Sequence, residues 1–300
     1  MRKFSMILSV FAVLVLALSA CTTPTAAPTE VMPTQAAVVE PTALPPFELP
    51  TGCLGTAADA IVDLDCEEIT IAVENAYLPF NYISVETGKP GGWDYEAWTE
   101  ICTRLHCTPV FVEAAWDGMI QAVADGQFDA AGDGITITPD RAEIVDFSTG
   151  YINIQQRLLV RLGENRFTSM EEFVKTDLVL GTQTATTNYE TAVEYLPEDR
   201  IQAFEQFPFA VQALIAGDVD AVIIDEVVGM GYMGENADAV ELIGPAISSD
   251  ELGFIYPKGS KLTSMVDQAI NAMKADGFLS ALNVRYFGPD FDITYDDIAE

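Results

Sequence analysis

The chain has 300 residues, with 14 Lys and Arg against 46 Asp and Glu, one His and a formal net charge of -32. So acidic a surface excludes nucleic-acid binding, because capture of phosphate needs clustered cations. The apolar content of 49% is ample for a core, and the length suits one large domain or two lobes.

The first residues read as an export leader over 1–20. Arg2 and Lys3 give it a positive end, and the apolar run 4–18 is short for a membrane span. Leu18-Ser19-Ala20-Cys21 matches the bacterial lipoprotein cleavage motif, which makes Cys21 the lipidated first residue of the mature chain. Loss of Arg2 and Lys3 leaves 12 basic against 46 acidic residues, net -34. Residues 21–51 form the next segment. Beyond Cys21 it is dominated by Pro, Thr, Ala and Val, without Lys or Arg. It has no periodic apolar face, so it reads as a disordered tether reaching roughly 90 Å at most. Of the five cysteines, Cys53, Cys66, Cys102 and Cys107 remain, and Cys53–Cys66 with Cys102–Cys107 is the simplest of three pairings. There is no CxxC, and the single His106 reads as a solvated loop residue, so neither metal nor cofactor is expected.

In the folded part, the β-branched run 69–73 predicts a strand, followed by a loop through Asn75 and Pro79. Helical spacing covers 94–105, with Trp98, Ile101 and Leu105 on one face. A strand at 110–112, a helix at 116–124 closed by Asp125-Gly126, and a strand from 128 to 131 come next. Pro139 then places a short helix at Asp140-Arg141. A second set repeats the pattern: a strand at 177–181, a helix capped by Thr186-Thr187-Asn188 and running to 195, a helix at 209–216 ended by Gly217, and a strand at 219–224 running into Asp225. A short strand at 254–256 and an amphipathic helix at 262–274 close the chain. The alternation predicts an α/β fold with mostly parallel pairing, in two similar lobes.

Three elements carry chemistry. Arg141, one of few cations, follows a Gly/Thr-rich turn containing Gly134 and Thr136; its planar fork suits a small carboxylate. Thr186 and Thr187 open a helix, whose free N–H groups favour anions. Asp225 leaves the carboxyl end of an apolar strand and needs a cation or several donors to offset its desolvation. Together they describe a receptor for an α-amino acid, walled by Tyr77, Phe80 and Trp116. Taken singly, each has a plainer reading: Arg141 pairing with Asp146 or Glu143, the Thr pair as an N-cap, Asp225-Glu226 as a capping pair, Trp116 as core.

From about Glu68 to Gly288 the chain resembles the bacterial extracellular solute-binding proteins of the polar amino-acid type (family 3), which feed ABC importers. The resemblance rests on Tyr77-Leu78-Pro79-Phe80, on Trp116-Asp117-Gly118-Met119-Ile120, and on Phe128-Asp129-Ala130 through Thr138-Pro139-Asp140-Arg141 to Val145-Asp146-Phe147-Ser148. It rests also on Ala216-Gly217-Asp218 through Asp225, and on a tail from Tyr256-Pro257-Lys258-Gly259 to Tyr286-Phe287-Gly288. It implies a type II periplasmic-binding-protein-like fold, each lobe a mixed, mostly parallel sheet flanked by helices, joined by a two-strand hinge near 155–159 and 252–256. Lobe 1 would comprise 52–157 and 254–300, and lobe 2 158–253. The resemblance further implies that Arg141, Thr187, Thr186 and Gly134 hold the ligand carboxylate, that Asp225 with Thr136 holds its ammonium, and that Tyr77, Trp116 and Phe80 line its side chain. Ala185 stands where the family usually has glycine, which bears on how closely the backbone approaches the carboxylate. Glu74 and Asp133 add two acids beside the side-chain site, so arginine or lysine is the expected ligand, with Trp116 contributing a cation–π contact of about 0.5–2 kcal/mol. The expected partners are ABC permease subunits and, through the lipid, the membrane. A monomer outside the cytoplasm, with no catalytic activity, is expected. The rivals are a prephenate- or arogenate-type dehydratase on the same scaffold, with Glu74 or Asp133 as acid or base, and a ligand-sensing ectodomain that signals through another protein.

Overall fold

The structure, a computed structural model, describes residues 44–236, 238–288, 291 and 293. The expectations for the leader, for Cys21 and for the tether up to residue 43 lie outside the described residues. Elements follow in chain order: β1 (Glu68–Val73), β2 (Ala76–Tyr77), β3 (Asn81–Ile83), β4 (Pro90–Gly91), α1 (Trp93–Leu105), β5 (Thr108–Glu113), α2 (Met119–Ala124), β6 (Ala130–Ala131), α3 (Pro139–Ile144) and β7 (Val145–Phe147). Then come β8 (Ile152–Arg161), α4 (Met170–Phe173), β9 (Leu180–Gln183), α5 (Thr187–Tyr195), β10 (Ile201–Phe204), α6 (Phe207–Ala216), β11 (Ala221–Asp225) and α7 (Glu226–Glu235). The last are β12 (Val240–Leu252), β13 (Ile255–Pro257), α8 (Lys261–Asp276) and α9 (Phe278–Phe287).

Two five-stranded sheets, in the orders β5-β1-β6-β13-β7 and β10-β9-β11-β8-β12, form the centres of two lobes. Each has a parallel trio, β5-β1-β6 in one and β10-β9-β11 in the other. The expected parallel pairing ends there, since β13, β8 and β12 run antiparallel to their neighbours. Strands β8 and β12 pair along their length, from Ile152↔Leu252 to Arg161↔Val240, and carry the chain from one lobe to the other and back. Neither long strand has a clean two-residue alternation, because each serves two environments along its length, which hides it from pattern reading.

Local chemistry sets the ends of the elements. Thr138 caps α3 by accepting from the Arg141 N–H, with Pro139 at the first turn. Thr186 does the same for α5, accepting from the Tyr189 N–H at 3.1 Å. The strand expected at 177–181 starts only at Leu180. Arg200 Nε donates to the Leu178 carbonyl at 3.0 Å and the Val179 N–H donates to Asp220 Oδ2 at 3.1 Å, so those backbone groups are taken by side chains.

The first lobe's core is aromatic. Trp93 stacks on Tyr151 at 4.5 Å between ring centroids, Tyr151 meets Phe254 at 4.6 Å and Phe254 meets Trp98 at 5.0 Å. The second lobe packs Leu158, Val160, Phe167, Phe173, Leu180 and Ile223. Two sequence expectations are corrected. Residues 44–49, expected as tether, are packed: Leu44, Phe47 and Leu49 lie against the hydrophobic core, and Arg285 donates to the Pro45 carbonyl. These three apolar side chains interrupt the Pro/Thr/Ala composition and find an apolar surface to cover. His106 is not a solvated loop residue. It ends α1 in the left-handed conformation (φ 51°), its Nδ1 lies 2.7 Å from Asp63 Oδ1 and its Nε2 lies 3.3 Å from Cys66 Sγ. Cys53–Cys66 and Cys102–Cys107 are disulfide-bonded as expected. Among the described residues, no helix is long and apolar enough to cross a membrane.

Candidate functional site

Both lobes line one narrow cleft. The first lobe supplies Glu74, Tyr77, Trp116, Asp133, Gly134, Thr136 and Arg141, and the second Gln183, Thr186, Thr187, Asn188, Phe207 and Asp225. Each comes from a strand's carboxyl end or the loop or helix N-terminus beyond it, where an α/β sheet leaves backbone groups and side chains free to face a ligand. Gly134 has φ +57°, and a Cβ there would lie 2.6 Å from the Tyr77 ring, so the turn requires glycine.

Arg141 is buried, 8% exposed. Its Nη1 donates to the Thr136 carbonyl at 3.1 Å and its Nη2 to the Ala185 carbonyl of the other lobe at 3.5 Å. The guanidinium lies over the Trp116 ring, 5.4 Å from the centroid. Burial lowers the Arg141 pKa from its usual value, while Glu190, Asp225 and Asp250 oppose that. Asp146, a plain partner for Arg141 in the sequence, pairs instead with Lys258 at 3.1 Å and accepts from the Gly259 N–H at 2.7 Å. Thr136 Oγ1 and Thr187 Oγ1 approach to 3.3 Å across the cleft.

Asp225 is 3% exposed and has no ion pair among the described contacts. The Tyr77 hydroxyl donates to its Oδ2, and Asn188 Nδ2 donates to its Oδ1 at 3.1 Å. Burial pushes its pKa up to about 6, and those two hydrogen bonds hold it from rising further. At the other end of the cleft, Glu74 Oε1 accepts from Gln183 Nε2 at 3.0 Å, and Asp133 Oδ1 accepts from Asn81 Nδ2 at 2.6 Å. Burial raises both carboxyls above their ordinary range, and the charge of Asp133 raises Glu74 further.

All but one of the expected ligand-site residues face the cleft. The exception is Phe80, which is fully buried behind Tyr77, stacked on it at 5.4 Å and packed against Phe287. Its Tyr-Leu-Pro-Phe context placed it near the site, but the chain direction after Tyr77 turns its ring into the core. Trp116 lines the cleft with its ring already facing Arg141 rather than reserved for a ligand cation. The sequence reading missed Gln183, Asn188 and Phe207. Gln183 ends β9 and Asn188 follows the Thr pair, positions at which a polar residue merits attention. Phe207 gave no polar signal. Ala185 has φ +58°, in the left-handed region that favours glycine.

Two α/β lobes joined by paired long strands, with one polar cleft between them, define a two-lobed solute receptor. The chain belongs to the bacterial extracellular solute-binding proteins, family 3, whose model matches residues 69–289. It is similar to the L-cystine-binding protein TcyJ of Escherichia coli (strain K12), 28% identical over 230 residues that cover 74% of this chain and 83% of that protein. Among solved structures it is similar to an ancestral amino acid-binding protein, AncCDT-1, a precursor of cyclohexadienyl dehydratase (31% identity, 73% of this chain, 95% of that one, TM-score 0.68). It is similar also to an ancestral arginine-binding protein bound to glutamine (29% identity, 74% of this chain, 98% of that one, TM-score 0.69).

Proposed function

We propose that this protein is the substrate-binding component of an ABC importer, tethered outside the cytoplasm by lipid on Cys21, which captures a basic α-amino acid, arginine or lysine, and presents it to a permease. Lobe 1 comprises 44–157 and 254–300 and lobe 2 158–253, hinged on β8 and β12, and ligand contacts to both lobes select the closed form. The observation that carries the reading is the pairing, in one cleft, of a buried guanidinium (Arg141) with a buried carboxylate (Asp225) whose partners are neutral. Arg141, the Thr186 and Thr187 helix start and the Gly134 backbone hold the α-carboxylate. Asp225 and Thr136 hold the α-ammonium, and Tyr77 and Trp116 wall the side chain. Glu74 and Asp133, which among the described residues form no ion pair and bond Gln183 and Asn81 instead, are left for a cationic side chain. The likeness to an arginine-binding ancestor supports that choice.

A thermal-shift panel of the twenty amino acids tests it. A ligand at 100 times its Kd adds about 2.7 kcal/mol, on the order of 5–10 °C for a chain of this size. Shifts confined to arginine and lysine are expected; shifts confined to neutral amino acids refute the side-chain assignment. A second reading has one observation in its favour: Glu74 is a buried cleft carboxyl with raised pKa, as a general acid requires, and a dehydratase precursor is among the similar structures. Turnover of a prephenate-like acid, followed by absorbance, would establish it.

A further inference from the structure

Three buried carboxyls run inward from the side-chain end of the cleft: Glu74, Asp133 and Asp94, exposed by 7%, 3% and 0%. Asn81, itself fully buried, ties two of them together. Its Nδ2 donates to Asp133 Oδ1 at 2.6 Å and to Asp94 Oδ2 at 3.0 Å, while its Oδ1 is held by the Asn75 N–H at 2.7 Å. The other oxygen of Asp94, Oδ1, is buried with no hydrogen-bond partner.

The groups around this row are neutral or acidic. Gln183 faces Glu74 from the second lobe. On the first lobe, Asn75 bonds Glu113, Tyr95 donates to Asn75, and the buried ring of Tyr151 stands near Asp94 and Asp133. Among the described residues, Arg141 is the one cation lining the cleft, and the acids that face it are Glu190, Asp225 and Asp250. No lysine or histidine among the described residues lines the cleft. Adjacent buried carboxylates repel strongly in a medium of low polarisability, so without a cation the row is stable only when protons neutralise part of it. Burial accordingly raises all three above the ordinary carboxylate range.

We infer that the cleft takes a cationic side chain by exchange: a proton shared by the Glu74, Asp133 and Asp94 carboxyls leaves as the ligand's guanidinium or ammonium enters. This rests on the basic-ligand reading above and deepens it. A carboxylate binds the cation and a neutral carboxyl does not, so protons and ligand compete. Affinity for arginine therefore falls as pH falls, about tenfold per pH unit for each proton released. Asn81 and Asp94 are positioning residues here: they set how readily Asp133 gives up its proton without touching the ligand. A neutral side chain such as glutamine's has no charge to exchange at this end. Asp225 meets the α-ammonium of every amino acid, so any proton it releases is common to arginine and glutamine and cancels between them.

The test is calorimetry on the protein from residue 44 onward, with arginine and with glutamine at pH 7 in two buffers of different ionisation enthalpy. The dependence of the observed heat on buffer counts the protons released. Arginine is expected to release at least about half a proton more than glutamine. Asp133→Asn, and Glu74→Gln if that variant fails to fold, should abolish the excess. If glutamine gives no heat, the variant supplies the subtraction. Arginine that binds with the same proton release as glutamine, or with release unchanged in the variant, overturns the exchange while leaving the ligand class intact. Arginine and lysine both failing to bind, with another amino acid binding, overturns the ligand class itself.

Discussion

Arg141→Ala separates binding from folding. The guanidinium is buried over Trp116 and donates to the Thr136 carbonyl at 3.1 Å and, at the outer limit, to Ala185 at 3.5 Å. One charged hydrogen bond is worth about 1.5–3 kcal/mol and the cation–π contact about 0.5–2 kcal/mol. Opposing them is the desolvation of the cation, visible as the burial-lowered pKa. These terms offset, so the unliganded variant should lose no more than about 2 kcal/mol, a shift of a few degrees in Tm. The ligand has no such offset. Its carboxylate would enter the cleft without a counterion, a loss of about 3–5 kcal/mol, or roughly two to four decades in Kd. Arg141→Lys, which keeps the charge but not the fork, should fall between. Titration calorimetry and thermal unfolding of the unliganded protein, run together, give both quantities. Affinity within about threefold of wild type in Arg141→Ala would refute the assignment of Arg141 to the carboxylate.

Asp225 predicts a pH dependence. Its folded pKa of about 6 lies above the ordinary carboxylate value, so the penalty of charging it is absent below pH 4 and complete above pH 6. Unliganded wild type should therefore lose stability between pH 4 and 7, with Asp225 accounting for about 3 kcal/mol of it. Urea midpoints at pH 4.5 and 7.5 should lie closer together in Asp225→Asn, and an unchanged gap would contradict the argument. Ala185→Gly relieves the left-handed strain at φ +58° and should raise stability by about 0.5–1 kcal/mol, read as a higher urea midpoint. A chain starting at Gly52 loses the packing of Leu44, Phe47 and Leu49 and should unfold several degrees below one starting at Leu44. Equal Tm values would show that segment to be energetically idle.

Much of the site was legible because its residues are anomalies in their local context. Arg141 is a cation in an acidic chain. Asp225 is a charge at the end of an apolar strand, and Thr186 and Thr187 carry capping chemistry that any helix start would show. Elements β1, α1, α6 and β11 were legible from periodicity, Gly217 and Pro139 from their fixed conformational preferences. Those properties are local, and the sequence by itself determined them.

Only the tertiary structure decided which anomalies meet. Phe80 and Tyr77 stand three residues apart, yet one ring faces the core and the other faces Asp225. Trp116 and Arg141 are distant in sequence, and their stacking appears only when α2 and α3 pack beside one another. Gln183, Asn188 and Asn81 are ordinary polar residues until folding buries them against Glu74, Asp225 and Asp133. Long strands β8 and β12 escaped pattern reading for the same reason: their side chains change surroundings midway as they pass between lobes. A sequence carries each residue's chemistry and local conformational preference. Burial, shared hydrogen bonds and the mutual field of buried charges are sums over neighbours, and the neighbours are chosen by the fold.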